Sequence, residues 1–69
     1  MRIEVRENRV EGFCNIPGWR GEQSVIAFNT IHGKWHCASS MCLPSDIKSA
    51  RAVQECVSMA FSVLADLEE

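Results

Sequence analysis

The residues best suited to chemistry cluster between His32 and Cys42. His32, His36, Cys37 and Cys42 are all zinc-ligand types, and Cys14 is a fifth that could join them. Strong zinc signatures set ligands close together, as in C-x-x-C, or place two histidines one helical turn apart. Here there is no C-x-x-C, and the H-x-x-x-H from His32 to His36 falls on a segment that reads as a β-hairpin. Neighbours on a strand point to opposite faces, so His36 and Cys37 cannot serve one site. The expectation is no metal and no cofactor, with Cys14, Cys37 and Cys56 as small buried hydrophobes and His32 as a turn residue. A nucleophile built from Cys42 and either histidine lacks an orienting third group and an oxyanion site. Glu4 and Glu11 read as solvated strand carboxylates, and Glu55 and Asp66 lie on the polar face of a helix. No catalytic residue emerges, and the chain is expected not to be an enzyme.

Residue types that favour contact with other molecules are better represented. Trp19 and Arg20 sit in a loop bounded by Pro and Gly, and both types are enriched at interface hot spots. Trp19 can equally fold back over an open edge of the core. Arg2, Arg6, Arg9, Arg20 and Lys34 would form a nucleic-acid surface on a sheet face, but Glu4, Glu7, Glu11 and Glu22 are interleaved with them. A net charge of −2 also lacks the basic footprint such binding needs. Nucleic acid is therefore the alternative reading, and a zinc-stabilised module is a further one.

These residues need elements to position them. Residues 2–15 alternate as a strand pair with a turn at Glu7-Asn8, which sets Val5 opposite Val10, Ile3 opposite Gly12 and Glu4 opposite Glu11. Residues 16–23 form a loop. A second hairpin turns at His32-Gly33 and returns to Ser39, with Ile26, Phe28, Trp35 and Cys37 on one face. With Ile3, Val5 and Val10 these make the inner face. From Ser45 to Leu67 the chain reads as one helix, capped by Ser45 or Asp46. Glu68 and Glu69 oppose the dipole and are expected to fray. The fold class expected is α+β: one domain, residues 1–69, with an antiparallel meander of three to four strands over 2–39. The helix packs on one face of that sheet and overhangs it.

The helix carries the main functional signal. Val53, Val57, Ala60, Phe61 and Leu64 form one apolar stripe, and Ala52, Cys56, Met59 and Val63 form a second beside it. Together they span about 200° where about 100° is usual. The sheet is expected to cover the first stripe. The second is expected to pair two helices in a homodimer or to meet a different protein, so the interface residues are Ala52, Cys56, Met59 and Val63, together with Trp19 and Arg20.

Sixty-nine residues, 46% hydrophobic and 23% charged, describe a small globular domain with a marginal core. The opening Met1-Arg2-Ile3-Glu4-Val5-Arg6-Glu7 has no apolar core of a signal peptide, so a cytoplasmic location and reduced thiols are expected. The MRIEV opening strand, the HGKW hairpin and the terminal helix together resemble small accessory proteins of tailed phages and prophages. That resemblance implies a role in binding and modulating a host protein. The element order is also similar to the arm-type DNA-binding domains of phage integrases, whose sheets are basic where this one is mixed.

Overall fold

A computed structural model describes residues 1–68. Four antiparallel strands run in chain order as one sheet: β1 (Arg2–Arg6), β2 (Arg9–Asn15), β3 (Glu22–Ile31) and β4 (Lys34–Ser40). One helix, α1 (Ile47–Leu67), follows and packs on one face of the sheet. The chain is thus an α+β meander of two hairpins with a long C-terminal helix.

The first hairpin has the register that alternation demands, with Val5 opposite Val10, Glu4 opposite Glu11 and Ile3 opposite Gly12. Its turn is made differently from expectation. Asn8 does not take a left-handed φ; its backbone and side-chain oxygens instead accept from the Thr30 N–H at 3.1 Å and the Thr30 hydroxyl at 2.9 Å. The second hairpin turns where His32-Gly33 requires. His32 has φ 53° and Gly33 φ 77°, and positive values at both positions suit the right-handed twist of the flanking strands.

Two irregularities in β3 and β4 were not legible in the alternation. Val25 is an extra residue in β3 between Ser24, opposite Phe13, and Ile26, opposite Gly12. Ala38 is an extra residue in β4 between Cys37, opposite Phe28, and Ser39, opposite Ala27. Bulges bend a strand and shift its later residues across the sheet. Here they let β4 run to Ser40 and seat Met41, whose N–H donates to the Val25 carbonyl at 2.9 Å. The loop is also shorter than the 16–23 expected, because β3 starts at Glu22. A ten-residue β3 spans about 33 Å, close to the length of α1 at about 32 Å, so only the shorter strands are overhung.

The core joins Val10, Cys14, Ile16, Val25, Ile26 and Phe28 of the sheet layer to Val53, Cys56, Ala60 and Leu64 of α1. Gly12 sets the approach of the two layers. A Cβ there would stand 3.0 Å from Cys56 Sγ and 3.2 Å from Ile26 Cγ2, so any larger residue would have to press these side chains back by a few tenths of an ångström. Two expected inner-face residues are not covered: Val5 is 51% exposed and Cys37 is also exposed. Both lie on strands at the edges of the sheet, beyond the centre of the helix.

Candidate functional site

The orientation of α1 decides which residues are offered to a partner. Its start is fixed at Asp46 rather than Ser45, and Asp46 Oδ2 accepts from both the N–H and the hydroxyl of Ser49 at 3.0 Å. The buried Ser49 hydroxyl lies 3.3 Å from the Pro17 carbonyl oxygen, within donating distance, tying the helix start to the loop between β2 and β3. Ser49 escaped the reading of apolar periodicity because it is polar; its signal was the D-x-x-S spacing of an N-cap.

The buried line of α1 runs through Ser49, Val53, Cys56, Ala60 and Leu64. It passes between the two stripes read from the sequence instead of along one of them. At about 100° per residue, Met59 and Phe61 lie roughly equally far from that line, on opposite sides. The excess of apolar surface is thus divided between two flanks. Cys56 must be removed from the interface residues: it is fully buried against Gly12, with its Sγ 3.5 Å from the Phe13 carbonyl oxygen. Burial pushes its thiol up to about 11. Ala52 and Val63 are half-buried, Val63 packing against the core, while Met59 remains 46% exposed. Phe61, expected to be covered, is 53% exposed.

The two flanks differ because α1 sits off the middle of the sheet. It packs chiefly on β2 and less on β3 and β1. Among the described residues, the backbone of β4 nowhere comes within 8 Å of α1, Cα to Cα. The inner face of β4 therefore forms one wall of an open groove of about 710 Å³, walled also by Met41, Leu43, Val57 and Phe61 and holding Cys37. Phe61 closes its helix side by packing edge-on against Phe28, ring centroids 5.1 Å apart. The β1 flank carries a shallower and more polar depression of about 760 Å³, where Met1 and Met59 meet Arg51, Glu55 and Ser62.

Trp19 and Arg20 stand at the loop as exposed residues, Trp19 half-exposed on a turn closed by its N–H to the Ile16 carbonyl at 2.9 Å. Pro17 and Gly18 occupy the centre of that turn, and Gly18 takes the positive φ (84°) that a type II turn needs at its second central position.

The outer face of the sheet holds its charges in pairs. Arg2 contacts Glu22 at 2.6 Å and also Glu4, Arg6 contacts Glu4 at 2.9 Å, and Arg9 contacts Glu11 at 3.3 Å and Asn29 Oδ1 at 2.8 Å. The Arg2 and Arg6 guanidiniums hold the Glu4 carboxyl below the usual carboxylate value, and Arg2 does the same for Glu22. At Glu11 the Ser24 hydroxyl, at 2.6 Å, is the larger cause and Arg9 the lesser. These pairings explain how Glu4 and Glu11 tolerate standing opposite each other.

His36, opposite Asn29, and Cys37, opposite Phe28, point to different faces of the sheet. All four cysteines are free thiols, Cys14 and Cys56 buried, Cys37 and Cys42 exposed. Among the described residues, no three His, Cys, Asp or Glu side chains gather as a metal site. Among the same residues, no helix is long and apolar enough to cross a membrane. No family model matches the chain, and no curated protein and no solved structure matches it, which leaves the two flanks of α1 to carry the functional reading.

Proposed function

We propose that this chain is a small, non-enzymatic protein-interaction module that acts as a homodimer on another protein. The observation that carries the reading is the open apolar groove between α1 and β4. Its walls are mainly aliphatic, aromatic and thioether side chains, with Ser40, Gln54 and Ser58 as polar members, and its one titratable lining group is the Cys37 thiol. Exposed apolar surface gathered in one concave strip is the usual mark of a docking site. The strip is also one helix wide. β4 lies two strand spacings from β2, about 10 Å, and packed helices lie about 8–10 Å apart. The partner element that fits is the apolar face of an amphipathic helix from another protein, laid beside α1. The resemblance to phage accessory proteins adds a host protein as the class of partner, by analogy alone.

The nucleic-acid reading has less support. The three arginines on the outer face each have a carboxylate beside them, so the field of that face is largely cancelled locally. Purification of a tagged copy from its host tests the proposal. Wild type is expected to retain a defined protein that Phe61→Asp loses while keeping its helical circular dichroism. Equal retention by both would overturn the groove as the docking site.

A further inference from the structure

We propose that the second copy docks on the flank opposite the groove, helix against helix and antiparallel, along Lys48, Ala52, Glu55, Met59, Ser62 and Asp66. The proposal rests on the homodimer reading above and adds the polarity of the pair and its line of contact.

Charge along α1 favours this antiparallel pairing. α1 carries no acidic residue in its first turn and no basic residue in its last. Lys48 and Arg51 stand instead near the N-terminal end, and Asp66 near the C-terminal end. Each is set against the helix dipole, which favours anions at the start and cations at the end. Among the described residues none of the three has an ion pair within the chain. An antiparallel second copy places the acidic end of one helix against the basic end of the other, at both ends of the contact. A parallel copy would set Lys48 against Lys48 and Asp66 against Asp66.

The six residues follow one another at intervals of four, three, four, three and four, so they lie in one line down the helix. That series reads the same in both directions. About a two-fold axis level with Val57, Lys48 faces Asp66 of the second copy, Ala52 faces its Ser62, and Glu55 faces its Met59. The Ala–Ser pairs are small enough for close approach on either side of the axis. The contact also covers Met59 and the neighbouring Met1, both exposed in the single chain. The β4 flank offers no such match: along Ile47, Gln54, Val57 and Phe61 no cation stands near the helix start to meet an acidic end.

Sedimentation over a concentration series reads the dimer Kd. Lys48→Glu and Asp66→Lys are each expected to weaken it about tenfold, because symmetry makes every substitution act at two contacts. The swapped chain, Lys48→Glu with Asp66→Lys, is expected to return to within a few-fold of wild type. Lys48→Glu also improves the match to the helix dipole, so a thermal melt at or above the wild-type midpoint separates lost docking from lost folding. A wild-type chain that stays monomeric at every concentration would overturn both the homodimer and this contact. A dimer indifferent to the charge reversals but dissolved by Phe61→Asp would overturn this contact alone and put the second copy in the groove.

Discussion

The two sides of α1 begin from similar sequence material and end in different situations. Toward β1, Met59 and Val63 sit among Lys48, Glu55 and Asp66, and Val63 already leans on the core. Toward β4, Val57 and Phe61 face a strand that the helix does not reach, and the connector adds Met41 and Leu43 to the same opening. The difference comes from lateral position. A helix centred on β2 of a four-stranded sheet leaves one strand beside it on one side and two on the other. Apolar width along a helix thus reports how much surface is in excess, while its placement over the sheet determines where that excess is left.

Thiol labelling breaks or sharpens this contrast most directly. Cys14 and Cys37 both belong to the inner face, but only Cys14 lies under the helix layer. In the folded protein an alkylating reagent is expected to modify Cys37 and Cys42 rapidly and Cys14 and Cys56 only through unfolding, orders of magnitude more slowly. Mass spectrometry with time reads the four sites; rapid loss of the Cys14 thiol would mean that the helix does not cover β2 as described.

Moving the helix is the next largest perturbation. Gly12→Ala is expected to cost about 1–3 kcal/mol, because the new Cβ meets Cys56 Sγ at 3.0 Å. Denaturant titration measures it, and Cys56→Ala in the same chain should recover part of the loss by removing the opposing sulfur. A Gly12→Ala protein as stable as wild type would show that the layers are not held at this separation.

The flanks themselves should respond unequally. Phe61→Ala is expected to cost the single chain about 1 kcal/mol, since its ring packs on Phe28. Met59→Ala is expected to fall within about 0.5 kcal/mol of wild type at concentrations where the chain is monomeric. Equal costs would remove the asymmetry.

The smallest effect lies on the outer face, away from both flanks. Glu4, Glu11 and Glu22 titrate below their ordinary value of 4.5 when folded. The folded state therefore binds fewer protons than the unfolded chain in that range. The stability these groups add is present above pH 4.5 and is lost as pH falls through their lowered values. All three remain in contact with solvent, so a shallow decline in melting temperature is expected there, flattened by salt. Cys56 acts in the other direction. Its thiol, raised from 9.0 to about 11, supports folding below pH 9 and ceases to do so as pH rises toward 11.

Much of the fold was readable because it depends on neighbours in sequence. Strand alternation set the pairing of Val5 with Val10, the His32-Gly33 dipeptide supplied the turn, and the uninterrupted run after Pro44 supplied the helix. The bulges at Val25 and Ala38 were not readable, since an extra residue leaves no mark in an already apolar or small stretch. Ser49 was missed because its value depends on the Pro17 carbonyl, 32 positions away. Met59 stays exposed and Cys56 is buried, although the sequence put both in one stripe, for a single reason. Periodicity identifies the residues that share a stripe, but the angle at which the helix meets the sheet depends on what stands opposite.

By itself, then, the sequence determined an α+β meander with a terminal helix whose apolar face is wider than usual. Those properties follow from local backbone preference and from the period of the side chains. The tertiary structure alone decided that Cys56 faces Gly12 and that β4, apart from Trp35, is left uncovered. It also decided that the surplus is parted into a groove on one flank and a more polar depression on the other. These outcomes depend on close approach between distant segments, where the missing Cβ of Gly12 leaves Cys56 room against the sheet.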